Sequence, residues 1–262
     1  MGPVSDVPAS YTAYAADRND PRFTDWLRER AEPEWTEAVE HPFTSELGAG
    51  TLSEDAFVEY LVQDYAFIDA LVGTFGFAVG QAPDMAAKRP LVEFLETVTD
   101  EENDYFERSF DALAVPESRW TDPELTDTTA ALIDLFGRAA HEGGYEETLA
   151  VLVPAEWLYE QWATAVVEAH TDPGGESDPH STGADLPFYY AEWIDLHAVP
   201  SFVEFVDWLR RQLDDRGPEL SDRRQARLDR LFQRTVSLEA AFFETVYAST
   251  NDGGANKQNG DA

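Results

Sequence analysis

Apolar residues recur along this chain at spacings of three and four, the signature of helices that bury one face. In FVEYLVQDYAFIDALVGTF, residues 57–75, that spacing gives Phe57, Leu61, Asp64, Ile68, Leu71 and Phe75. The stripe is apolar except at Asp64. An N-terminal signal precedes it in GAGTLSEDAF, where a glycine break is followed by Thr51 and, three residues on, Glu54, the pattern of a capping box. The helix so opened is predicted to end near Ala82-Pro83. A first helix is expected from Trp26 to Glu40, and others at about 85–98, 100–113, 127–141, 145–170, 187–198, 200–215 and 220–249. No alternating strand pattern and no fixed repeat interrupts them. The fold class that follows is all-α, a single-domain helical bundle over residues 21–250. Residues 1–20 read as a flexible arm, 171–185 (TDPGGESDPHSTGAD) as an acidic loop, and 251–262 as a disordered tail.

The interruption at Asp64 occurs twice more. Leu149, Leu152, Glu156, Tyr159, Ala163 and Val166 form one stripe broken at Glu156; Leu228, Phe232, Thr235, Glu239, Phe242 and Val246 form another broken at Glu239. A buried carboxylate without a partner costs several kcal/mol or takes up a proton. Each could be satisfied by an arginine, a tyrosine or a backbone group, or lie at a bundle end. Three of them on the three most regular helices predict instead a shared internal polar pocket, of the kind bundles build from facing helices. Aromatic residues accompany each one: Tyr65 and Phe67, Trp157 and Trp162, Phe242 and Phe243. Ring faces above and below, with carboxylates in the plane to accept from N–H groups, suit a flat heteroaromatic ligand such as an aminopyrimidine.

Composition narrows the chemistry. Acidic residues number 52 against 18 basic ones, a net charge of −34, and Lys88 and Lys257 are the only lysines. Such a surface suggests a high-salt cytoplasm, where screening relieves self-repulsion; a cation-binding or basic-partner role is the rival reading. Nucleic-acid binding is not expected, because no basic run is present to neutralise phosphates. There is no cysteine, hence no disulfide and no thiolate nucleophile. No stretch reads as a signal peptide or a membrane span, so a cytoplasmic location is expected. None of the five histidines has a glutamate three residues before it, which removes the Glu-x-x-His unit of di-iron bundles; no metal and no cofactor is expected.

Four short blocks, in order, resemble the TenA/thiaminase II family: HPF at 41–43 with GTLSEDAFVEYLVQDY, then LAVLVPAEWLYEQW, YAEWIDLHAVPSF and SLEAAFFETVYAS. The resemblance covers about Trp26 to Ser249 and implies the heme-oxygenase-like bundle, a homotetramer, and a small-molecule aminopyrimidine as substrate. It implies that Asp64 contacts the exocyclic amine of the pyrimidine and that Glu239 acts as acid and base at a ring nitrogen. Tyr159, Phe242 and Tyr247 match further binding positions, Phe67 stands where a stacking tyrosine is usual, and His197 where another tyrosine is. The family's nucleophilic cysteine falls on Ala155. The resemblance is therefore to a cysteine-lacking branch, and Glu156 beside the vacant position is the candidate replacement. The implied activity is hydrolysis of aminopyrimidine or formylaminopyrimidine breakdown products of thiamine, releasing hydroxymethylpyrimidine, with weak thiaminase action a possible extra. A pyrimidine-binding or regulatory protein, and a cofactor-free oxidase resembling pyrroloquinoline-quinone synthase, are the alternatives.

Overall fold

The computed structural model describes residues 7–170 and 186–255, which are helical with no strand among them. In chain order the helices are α1 (Tyr11–Ala15), α2 (Phe23–Arg30), α3 (Glu34–Val39), α4 (Pro42–Ala49), α5 (Glu54–Gln81) and α6 (Met85–Thr97). After α6 come α7 (Asn103–Ala112), α8 (Glu117–Trp120), α9 (Asp127–Glu142) and α10 (Tyr145–His170). The last three are α11 (Phe188–Ala198), α12 (Pro200–Arg216) and α13 (Asp222–Ala255). Helix α10 is the central rod. Every residue from Thr148 to Leu158 is buried, so it is apolar nearly all round, as a helix enclosed by others must be. It packs on α5, α9, α11, α12 and α13, and α5 and α13 also meet each other.

Several boundaries differ from the sequence expectation, each for a local reason. The helix expected over 26–40 is two, because Pro33 lacks an N–H and caps α3 instead of prolonging α2. Thr51 is not the cap of α5. Gly50, at φ 68°, ends α4 in the left-handed region, and the Thr51 and Leu52 N–H groups both donate back to the Glu46 carbonyl, 2.9 and 3.1 Å away. Thr51 thus closes α4, and Ser53 caps α5 by accepting from the Ala56 N–H.

The segment from residue 7 to 20, expected as a loose arm, is packed on the body. Tyr11 and Tyr14 are buried, Tyr11 donates to the Pro21 carbonyl, Tyr14 donates to Glu29, and Trp26 donates from Nε1 to the Pro8 carbonyl. At the other end α13 continues to Ala255, into the expected tail. The acidic loop 171–185 and residues 256–262 lie outside the described residues.

No break separates α6 from α7. A π-helical turn, Val98–Glu102, joins them into one rod. Such wide turns are rare and concentrate at functional sites.

Candidate active site

Two carboxylates on α10 and two on α13 are buried to similar depth, and the structure treats them differently. Near one end of the bundle Asp229 is gripped by Arg30, Nε to Oδ1 and Nη2 to Oδ2, both 2.9 Å. Glu147 is held likewise by Arg224, at 3.0 and 2.6 Å, and accepts from the Gly144 N–H. Burial alone would push the Glu147 carboxyl up; the Arg224 fork and the Gly144 N–H bring it below its ordinary value. These are the satisfied core carboxylates of the bland alternative, and neither falls on the three interrupted stripes.

The stripe carboxylates lie elsewhere. Asp64, Glu156 and Glu239, from α5, α10 and α13, line one cavity of about 860 Å³. They are 4, 6 and 2% exposed, and no arginine or lysine among the described residues pairs with them. Asp64 Oδ2 and Glu239 Oε1 are buried without a hydrogen-bond partner. Buried polar atoms seldom go unsatisfied, and those that do point to a missing ligand or solvent. A fourth carboxylate, Glu102, reaches the same cavity from the π-turn.

Desolvation dominates their acidity. Burial raises Asp64 to about 7, opposed by a hydrogen bond from Tyr60. Burial, then the neighbouring Asp64 charge, raises Glu239 and Glu102 each to about 8. Burial pushes Glu156 well above the carboxylate range, with Glu102, Glu239 and Asp64 adding to it. Four carboxyls around one low-dielectric space cannot all be ionised, so at neutral pH the cavity holds carboxylic acids beside carboxylate. That is the mixture general acid–base catalysis needs. They are spread around the wall rather than bunched, and no metal-holding group of three or more acidic or histidine side chains forms among the described residues.

The other walls are aromatic. Tyr159 and His197 stand 5.0 Å apart between ring centres, and Trp193 is 4.4 Å from His197. His197 Nδ1 lies 2.8 Å from the Trp193 carbonyl, which fixes that nitrogen as the donor and leaves Nε2 as an acceptor. Burial lowers the His197 pKa to about 4, so the ring is neutral. Tyr60 Oη accepts from Trp193 Nε1 at 3.1 Å and stands 3.0 Å from Tyr159 Oη, which locks three of these rings together. Phe67 lines the cavity and meets Phe136 edge-on at 5.0 Å. Ala155 lines it too, one residue from Glu156. Toward solvent the wall becomes Phe94, Phe202, Phe205 and Trp208, with Glu93, Glu101 and Glu204 exposed at the rim.

The structure therefore brings Asp64, Phe67, Glu156, Tyr159, His197 and Glu239 to one cavity. It leaves two expected residues out of the lining. Phe242 packs behind it against Tyr60, 5.6 Å between centres. Tyr247 is farther off, donating to Glu46 at 2.7 Å and lying edge-on to His41. Eight residues after Glu239 it is about 12 Å along the helix, and it is not among the residues lining the cavity. Glu102, Tyr60 and Trp193 were missed. Glu102 had the same signal as the others, lying between Val98 and Tyr105–Phe106 in an apolar stripe, but the surrounding TDEEND run reads as solvated surface.

Comparison with known proteins places this chain in a family. The TENA/THI-4/PQQC family model matches residues 28–249. The chain is 26% identical over 221 residues to an aminopyrimidine aminohydrolase of Halalkalibacterium halodurans, covering 84% of this chain and 93% of that one. It is 22% identical over 224 residues to another of that name from Helicobacter pylori, covering 86% and 98%. Among solved structures, a TenA homologue from P. horikoshii superposes with a TM-score of 0.72 at 23% identity, over 87% of this chain and 99% of the other. A TenA family transcription regulator from Silicibacter gives 0.74 at 22% identity, over 86% and 96%. With a family match spanning most of the chain and an all-helical fold shared with TenA proteins, this chain belongs to the TENA/THI-4/PQQC family.

Proposed function

We propose that this protein hydrolyses aminopyrimidine breakdown products of thiamine, aminomethyl or formylaminomethyl, and releases hydroxymethylpyrimidine. The observation that carries the reading is the convergence of four carboxylates without cationic partners on one aromatic-walled cavity. The names of the relatives from H. halodurans and H. pylori agree with it. In this reading Asp64 accepts from the exocyclic amine and Glu239 exchanges a proton with a ring nitrogen. Tyr159 and His197 supply ring faces, and Phe67 closes the wall. A protonated carboxyl, Glu156 or Glu102, donates to the departing nitrogen as the carbon–nitrogen bond breaks. An ionised one takes a proton from the water that supplies the new hydroxyl, so the products are alcohol and ammonia or formamide. The absence of cysteine rules out thiolate addition to the ring, and Ala155 leaves room where a thiol would stand.

The deep wall bears no arginine or lysine; Arg211 lies at the rim, exposed and paired with Asp207. That favours amine-bearing substrates over the acidic substrate of an oxidase. A regulator that only binds pyrimidine needs no carboxyls poised near neutrality. The same reading sets the enzyme in a high-salt cytoplasm, supported by the −34 charge and by the lack of any membrane-crossing helix among the described residues, and takes it as a homo-oligomer.

The test is incubation with thiamine, aminomethylpyrimidine and formylaminomethylpyrimidine in molar salt, with products identified by mass. Hydroxymethylpyrimidine should accumulate from at least one of the two breakdown products. Binding of all three with no turnover would leave only the regulator reading.

A further inference from the structure

Glu102 differs from the other three cavity carboxyls in how it is presented. Asp64, Glu156 and Glu239 project from α5, α10 and α13, whereas Glu102 is the last residue of the π-turn Val98–Glu102. The first three are buried; Glu102 is half-buried, with Glu93 and Glu101 of the same rod exposed at the rim. It therefore stands between the closed end of the cavity and its mouth. No hydrogen bond or ion pair engages its side chain among the described residues; burial and then the Asp64 charge are what act on it. Burial first and then Glu102 raise Glu156, ahead of Glu239 and Asp64. Glu102 is thus a close neighbour of both Asp64 and Glu156.

The π-turn is held in place from α5. Tyr65, next to Asp64, donates at 3.0 Å to Oδ1 of Asn103, next to Glu102. Asn103 donates in turn to Glu107 at 3.1 Å. The Tyr65 ring is wedged among Phe106, Phe110 and Trp120, with centres 5.2, 5.7 and 5.5 Å away. A wide turn loosens the helical ladder, and here the Thr99 hydroxyl serves the Leu95 carbonyl at 2.7 Å and Thr97 the Glu93 carbonyl at 3.4 Å. Tyr65 is not among the residues lining the cavity. Asp64 and Glu102 lie one residue to either side of its hydrogen bond, so that bond sets the spacing of the two carboxyls.

The proposed substrate carries its exocyclic amine and its aminomethyl carbon on neighbouring ring atoms. A ring whose amine meets Asp64 therefore sets the departing nitrogen beside Asp64, where Glu102 stands. Resting on the hydrolase reading, we propose that Glu102 is the acid that protonates the departing nitrogen, and that the Tyr65–Asn103 hydrogen bond positions it. The carbon–nitrogen bond breaks with its electron pair on nitrogen, which takes the Glu102 proton and leaves as ammonia or formamide. The oxygen of water bonds to the carbon, and the proton it sheds goes to Glu156. That proton returns to Glu102 through solvent at the mouth, which a half-buried carboxyl can reach and a fully buried one cannot.

Two substrates that share the pyrimidine isolate this role in the full-length protein. One is aminomethylpyrimidine; the other is the para-nitrophenyl ether of hydroxymethylpyrimidine, whose phenolate departs without a proton. A cavity of about 860 Å³ has room for the second ring. Glu102→Gln keeps the side chain's shape and should lower kcat about 10²–10⁴-fold on the amine while the ether stays within about threefold. Glu156→Gln should slow both, because both need water activated. Tyr65→Phe should lower kcat on the amine about ten- to a hundredfold, with KM unchanged and the ether spared. Circular dichroism reports folding of each variant separately. Equal losses on the two substrates in Glu102→Gln, or amine turnover that survives it, would overturn the proposal with the hydrolase reading intact. A folded wild type inert to both substrates would overturn the hydrolase reading and this assignment with it.

Discussion

Asp229 and Glu239 are ten residues apart on α13, 5 and 2% exposed, and chemically near-identical, yet one is clamped and the other abandoned. Helix α10 repeats the contrast with Glu147, held by Arg224, and Glu156, held by nothing cationic. Helices α10 and α13 therefore each carry one carboxylate for structure and one for the cavity. Burial is common to both regions; what separates them is the arginine. Where it is present, the ion pair ties helices together. Where it is missing, the same desolvation holds a proton near neutrality, and four such groups share one wall.

The contrast is broken most strongly at Glu239. Glu239→Gln removes the proton exchange but keeps the shape, and turnover of the preferred aminopyrimidine should fall about 10²–10⁴-fold. Its melting temperature should hold or rise, because an unpaired buried carboxyl is exchanged for a neutral amide. A loss of both activity and stability would place Glu239 with the structural carboxylates. The mirror experiment is Arg30→Met, which strands Asp229. It should cost about 3–5 kcal/mol of stability by urea unfolding, and Arg30→Met/Asp229→Leu should recover most of it. If the single variant is as stable as the wild type, the clamp is ornamental.

Stability against pH sharpens the distinction further. For Asp64, Glu102 and Glu239 the folded values, about 7, 8 and 8, lie above the ordinary 3.8 to 4.5. Raised groups of this kind contribute fully below about pH 4, and their contribution is lost as pH climbs to about 8. Glu147, lowered, behaves oppositely: its contribution is present above its ordinary 4.5 and is lost on acidification. Melting curves of wild type and Glu239→Gln should therefore coincide near pH 4 and diverge up to pH 8, with the variant the more stable. Divergence in the acid range instead would contradict the assignment.

The smallest expected effect is at Tyr60, whose hydrogen bond opposes the rise at Asp64. Tyr60→Phe should move the Asp64 titration alkaline by about one unit or less, read from the pH dependence of turnover.

Much of this was legible in sequence, and the limits have physical causes. Asp64, Glu156 and Glu239 announced themselves because each breaks a regular stripe, and helical periodicity survives folding unchanged. Glu102 breaks a stripe as well, but flanking acids disguised it. Sequence could not distinguish clamped from unclamped carboxylates, since Arg30 and Asp229 are 199 residues apart and meet only in the bundle. Tyr247 matched a family position by count, but its place on the helix directs it to Glu46. The arm at 7–20 looked loose because its composition is small and polar; two tyrosines and the Trp26 indole pin it.

The central claim is that the cavity carboxyls hold protons near neutrality while Glu147, clamped by Arg224, does not. Side-chain carboxyl NMR of protein labelled at Asp and Glu, titrated from pH 4 to 9 with single Gln and Asn variants for assignment, reads this directly. Resonances that vanish in Asp64→Asn and Glu239→Gln should titrate near pH 7 and 8, while that of Glu147 titrates below its ordinary value. Ordinary titration of Asp64 and Glu239 near pH 4 would contradict the account.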